Sequence, residues 1–153
     1  MLNSAGKLSQ ARMLFLSAHG YLDPENPERN AVVLARPTGG TEADRYLTAR
    51  DIATLDLQSQ LVLVSSCDSG NGRVAAGEGV LGLPYAFFSA GALDTILTLW
   101  RIYDDPATET LVSDFFESMK TGGPPDEALT AAKRRLRKSR SEAYWAPFFL
   151  IGR

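Results

Sequence analysis

One cysteine and one histidine occur in 153 residues, and both follow short apolar runs. Cys67 comes directly after "LVLVSS" and opens the glycine-rich stretch "CDSGNGR"; His19 comes directly after "MLFLSA" and precedes Gly20. A thiol with an ordinary pKa near 8.5 is mostly protonated at neutral pH, and an imidazole near 6.5 can take its proton. The thiolate then attacks a carbonyl carbon, and the imidazolium protonates the leaving amine. The oxyanion formed in that step needs preorganised N–H donors. The backbone amides of Gly20 and Cys67 are the candidates, because a glycine lets the chain approach a substrate closely. Gly70 and Gly72 allow the loop after the thiol to bend. Asp68 works against the thiolate through its adjacent carboxylate. Taken singly, each residue has a plainer role, the cysteine as a small buried hydrophobe and the histidine as a hydrogen-bonded structural residue.

The two residues matter together only if the elements before them meet. "RMLFLSA" (Arg12–Ala18) reads as a buried strand ending at His19-Gly20. "YLDPENPERN" is loop, "AVVLA" (Ala31–Ala35) a second strand, and "RYLTA" pairs back on it as a hairpin. Thr48 is placed to cap a short helix at "ARDIATLD". "LVLVSS" (Leu61–Ser66) is apolar on both faces, which suits a central parallel strand. The next helix carries Pro84, acceptable only in an early turn, and ends at Gly91 in a left-handed conformation. "DTILTLW" (Asp94–Trp100) is a third buried strand. "DDPATETLVSDFFESMKTGG" has Leu111, Phe115 and Met119 at helical spacing, with Asp105 as cap. "PPDEALTAAKRRLRKSR" is another helix and "PFFLIG" a last strand. Strands alternating with helices give an α/β layered fold with a mostly parallel sheet, whose reactive groups collect outside the carboxyl ends of the strands. If the histidine and cysteine strands are adjacent and parallel, imidazole and thiol share one edge.

Composition bounds the function classes. The length suits a single domain over residues 1–153. A net charge of −2 gives no global attraction to nucleic acid or anionic membrane. One cysteine makes no internal disulfide, and no apolar run approaches the ~20 residues of a membrane span, so a cytoplasmic location is expected. No cluster of His, Cys or carboxylates suggests a metal, and no cofactor motif is present. The cationic run around Lys133–Arg140 reads first as a solvated helix end that complements the helix dipole.

The histidine lies forty-eight residues before the cysteine, matching the spacing of about 50 found in caspases. Five collinear blocks carry a more specific resemblance: "LSAHGYLDPENPERNAVVLA", "YLTARDIATLDL", "LVLVSSCDSGNGRVAAGEGVLGLPYAFFSAGA", "LTLWRIYDDPAT" and "YWAPFFLIG". From about Leu14 to Gly152 the chain resembles the C-terminal, catalytic half of a CHAT domain, a caspase-like (clan CD) peptidase module often joined to TPR repeats. The resemblance implies a caspase-like three-layer fold, His19 as general base, Cys67 as nucleophile, and hydrolysis of a peptide bond in a protein substrate. It also implies that the family's N-terminal strands are missing, so that a sheet edge is exposed and invites pairing with a second copy. A TPR-containing or other regulatory partner is implied as well. Asp68, Glu78 and Trp100 are candidates for the substrate pocket, Glu78 because its "GEG" segment borders the cleft. Arg101 and Tyr103 depart from the family pattern in the "LW" block. Relatives that cut after basic residues carry an acid two positions before the cysteine, where this chain has Ser65, so a basic preference is not carried over.

Two other readings stand beside the peptidase. Cys67 and Arg73 have the C-x5-R spacing of cysteine phosphatases, in which loop amides and the arginine cradle a phosphate; Val74 stands where those enzymes usually place Ser or Thr. Alternatively, the chain is a non-catalytic, caspase-like interaction module.

Overall fold

The computed structural model describes residues 6–23, 25–66, 78–100, 102 and 104–152, with only the backbone given for 66 and 78–81. Cys67, Asp68, Gly70, Gly72, Arg73, Arg101 and Tyr103 lie outside the described residues. The strands are β1 (Met13–Tyr21), β2 (Ala31–Val33), β3 (Tyr46–Thr48), β4 (Leu61–Ser66), β5 (Asp94–Thr98) and β6 (Phe148–Gly152). The helices are α1 (Ala49–Ala53), α2 (Glu78–Ser89), α3 (Pro106–Lys120), α4 (Pro125–Leu136) and α5 (Glu142–Trp145). All six strands form one sheet in the order β3-β2-β1-β4-β5-β6. Its central pairs, β1–β4 and β4–β5, are parallel, and its flanking pairs are antiparallel.

The sheet is the middle of three layers, as a caspase-like α/β fold requires. Along β4, alternate residues serve opposite faces. Val62 and Val64 pack with Phe87 of α2, Ile52 of α1 and Ala92. Leu61 and Leu63 pack with Leu111 and Phe115 of α3, Leu129 of α4 and Phe148 of β6. A strand buried on both faces has no polar face to offer, which explains its unbroken Val/Leu run.

The last strand reverses because two long helices, α3 and α4, followed by the one-turn α5, precede it. A single helix, such as α2 between β4 and β5, returns the chain to the start of the sheet and gives a parallel neighbour. The α3–α4 pair adds a second traverse, and β6 therefore runs antiparallel to β5, with Asp94 opposite Gly152 and Thr98 opposite Phe148.

Local sequence fixes several boundaries. The Thr48 hydroxyl accepts the Asp51 amide at 3.1 Å, and the Asp51 carboxylate accepts the Thr48 amide at 3.1 Å, closing both ends of a capping box on α1. Asp105 caps α3 by accepting the Ala107 amide at 2.7 Å. Gly91, at φ +109°, ends the turn after α2 where a Cβ would lie 1.9 Å from the Leu57 carbonyl oxygen, so no other residue fits. Pro84 corrects an expectation. It is the seventh residue of α2, not an early-turn proline, because the helix begins back in the glycine-rich stretch, at Glu78. The proline therefore costs one internal hydrogen bond.

Candidate active site

Histidine and cysteine strands are neighbours and run the same way. The β1–β4 register joins Met13 to Leu61, Phe15 to Leu63, Ser17 to Ser65 and Ala18 to Ser66. His19 is not at the end of its strand. β1 continues to Tyr21, and from His19 onward it pairs antiparallel with β2: His19 with Val33, Gly20 with Val32, Tyr21 with Ala31. His19 is thus the residue at which β1 passes from its recorded pairing with β4 to its pairing with β2. An imidazole there stands at the end of a parallel pair, in the crevice where α/β sheets place their chemistry.

Side-chain alternation settles which way it faces. Leu14, Leu16 and Ala18 turn toward the α1–α2 layer. Met13, Phe15, Ser17, His19 and Tyr21 form the other row, and all five are exposed. The α3–α4 layer covers β4, β5 and β6 but reaches β1 only at its margin, where Phe15 meets Phe116 edge-to-face at 5.7 Å. A groove is left over this part of β1. One cavity, of about 430 Å³, is lined by His19, Ser17, Val33, Arg45, Ser65 and Asp104 among others. A second, of about 390 Å³, shares Ser17, Ser65 and Asp104 and extends to Phe15, Asp105, Glu109 and Val112 at the start of α3.

Ser65 is only 6% exposed and lines both cavities. Arg45 is already committed, donating from Nε to the Leu34 carbonyl at 3.3 Å and pairing with Glu42 at 2.7 Å. Asp105 is engaged as the α3 cap and lies 3.9 Å from Arg140.

The remaining sequence candidates fall as follows. Gly20 is a half-buried residue of β1, one step beyond His19. Glu78 is the first residue of α2. Trp100 lies two residues beyond β5, is 39% exposed, and lines neither of the two cavities. The sequence reading missed Ser17, Ser65, Asp104 and Glu109 as groove residues. A period-two count back from His19 reaches Ser17, and the register then adds Ser65. Asp104 and Glu109 are brought in by the seating of α3 against the sheet, which no local pattern encodes. Among the described residues there is no group of three or more His, Cys, Asp or Glu able to hold a metal ion. Nor is any helix among them long and apolar enough to cross a membrane.

Comparison with known proteins agrees with this architecture. The family model described as "CHAT domain" matches residues 1–153. Tetratricopeptide repeat protein 28 of Mus musculus is 35% identical over 109 residues, covering 69% of this chain and 4% of that protein. Its Homo sapiens counterpart is 33% identical over the same length, with the same coverage. The chain therefore spans a small fraction of the curated relatives it matches, and both relatives are tetratricopeptide repeat proteins by name. With a match over all 153 residues on a caspase-like sheet, the chain belongs to the CHAT domain family.

Proposed function

We propose that the chain is a cysteine endopeptidase, with Cys67 as nucleophile and His19 as its general base. The observation that carries this reading is the cross-strand row Met13–Leu61, Phe15–Leu63, Ser17–Ser65. In the sequence, one further step of two residues from Ser17 and Ser65 reaches His19 and Cys67, and Cys67 itself lies outside the described residues. Adjacent strands lie about 4.8 Å apart, so side chains at such positions reach one another. In this reading the thiol gives its proton to the imidazole, and the thiolate sulfur bonds to the substrate carbonyl carbon. The amides of Gly20 and Cys67 hold the oxyanion. The C–N bond then breaks as the imidazolium protonates the leaving amine, and water releases the acyl group from sulfur. Asp68, Glu78 and Trp100 are proposed as further contributors to the substrate pocket.

The family and the groove favour this over a C-x5-R phosphatase at Cys67 and Arg73. An interaction module without catalysis would keep the groove and lose the thiolate. A cytoplasmic site of action and a TPR-containing partner belong to the same proposal; the names of the relatives support the partner. So does association with a second copy through the sheet edge, because β1 over Met13–Ala18 pairs with β4 alone among the described residues.

A peptide library incubated with the chain, Cys67→Ala and His19→Ala tests the activity. Cleavage lost in both variants supports the dyad, and cleavage surviving in both ends it. Vanadate-sensitive phosphatase activity that requires Arg73 would favour the alternative.

A further inference from the structure

The C-terminal end of α4 is strongly basic. Residues 133–140 hold six of the chain's sixteen lysines and arginines, and no acidic residue stands between Glu127 and Glu142. The rest of the chain carries ten cations against eighteen carboxylates, a net of −8. Two of the six cations are occupied. Lys133, half-buried, donates from Nζ to the Phe148 carbonyl at 2.5 Å, and Arg135 pairs with Asp114 at 3.4 Å. Arg134, Arg137 and Lys138 are exposed and pair with no carboxylate among the described residues. Arg140 has Asp105 near it, at 3.9 Å.

The helix dipole accounts for three of these cations. It acts within the last turn, which holds Lys133, Arg134 and Arg135, and α4 ends at Leu136, so Arg137, Lys138 and Arg140 lie beyond it. The final carbonyls do not need them either: those of Lys133, Arg135 and Leu136 accept the backbone amides of Arg137, Lys138 and Arg140. Two of the guanidiniums rest instead on aromatic rings of α5. Arg137 lies 5.9 Å from the centre of the Trp145 ring and Arg140 5.6 Å from that of Tyr144. A guanidinium stacked on a ring keeps its in-plane N–H donors available to a carboxylate. Trp145 also buries an indole N–H that has no acceptor among the described residues, a polar group that a bound acceptor would satisfy.

We propose that this end of α4, together with α5, docks an acidic segment of a protein partner. At helical rise the stretch from Arg134 to Arg140 spans about 9 Å, which an extended peptide covers in about three residues. A short run of aspartates or glutamates therefore matches the patch in length as well as charge. A nucleic acid would run past it onto a body of net −8, within the ~8 Å over which charges are felt at physiological salt. Arg140 brings the patch to the rim of the groove, because its neighbour Asp105 also lines the cavity of about 390 Å³. A segment docked on the patch thus ends beside the groove. This binding does not depend on the peptidase reading.

Binding to the full chain tests it. Two fluorescein-labelled peptides are titrated, one with a central run of about four glutamates and one with glutamines in their place, the length being set by the extended rise. The glutamate peptide is expected to bind at least about tenfold tighter, the size of one hydrogen bond to a charged group. Arg134→Gln/Arg137→Gln/Lys138→Gln, three exposed changes with folding checked by thermal melting, should erase that ratio. Lys7→Gln/Arg29→Gln/Arg36→Gln removes the same charge from exposed positions elsewhere and should leave the ratio in place. Arg134→Glu/Arg137→Glu should turn the preference toward a lysine peptide. Equal binding of the glutamate and glutamine peptides, or a ratio that falls equally in the two triple variants, overturns the proposal. So does a labelled oligouridylate that binds the native chain more tightly than the glutamate peptide, which would make the patch a nucleic-acid surface.

Discussion

β5 and β1 lie on either side of β4 in the same sheet, yet they meet opposite surroundings. β5 is buried at four of its five positions, between α2 on one face and the α3–α4 layer on the other. β1 alternates exposed and half-buried along all nine residues, because helices cover one of its faces and only the margin of α3 reaches the other. The fully covered strand is scaffold. The half-covered strand carries His19 and the groove. The sheet thus holds His19 from one side and leaves it open to the groove on the other.

The contrast can be broken at its chemical end first. His19→Ala and Cys67→Ala should each lower peptide cleavage by about a hundredfold or more, the scale of losing a general base or its nucleophile, while leaving the melting temperature nearly unchanged, since His19 is exposed. The covered layers should respond the other way. Phe115→Ala and Phe87→Ala, both at fully buried positions, should each cost about 3–5 kcal/mol in chemical denaturation. Met13→Ser, on the open row and 47% exposed, should cost about 1 kcal/mol or less. A loss at Met13 as large as at Phe115 would mean that the outer face of β1 is covered in solution. Next in size is Thr48→Ala, which removes the α1 capping box and should cost about 1 kcal/mol.

The smallest effect concerns pH. Burial and the neighbouring Asp126 raise the Asp94 carboxyl above its ordinary value of 3.8. The folded chain therefore holds this proton more tightly than the unfolded chain. The associated stability is present below the unfolded pKa and is lost as pH rises through the folded one. Asp94→Asn should stabilise the chain slightly at pH 7 relative to the parent, and denaturation curves should show that gain vanish under acid.

Much of this was legible in the sequence where a local pattern had one physical solution. The Val/Leu run of β4, the Thr48 cap, the left-handed Gly91 and the helical spacing of Leu111 and Phe115 in α3 all sit where their chemistry predicts. The start of α2 was not legible, because glycines at Gly77 and Gly79 mask a helix that already runs through Pro84. Nor was the continuation of β1 through Tyr21, which depends on β2 arriving as a second partner. At the site, residue type and spacing singled out His19 and Cys67. That Asp104 and Glu109 line the groove depends on where α3 docks, a long-range fact to which neither residue gives a local clue.

The central claim is a proton shared between the histidine and the chain's single thiol. The most direct measurement is the rate of iodoacetamide alkylation against pH, in the native chain and in His19→Ala. With only one cysteine, every alkylation event reports on Cys67. The account predicts a native reactivity profile with its midpoint clearly below the ordinary thiol value near 8.5, returning toward that value in His19→Ala. Superimposable profiles, both with an ordinary thiol midpoint, would contradict it.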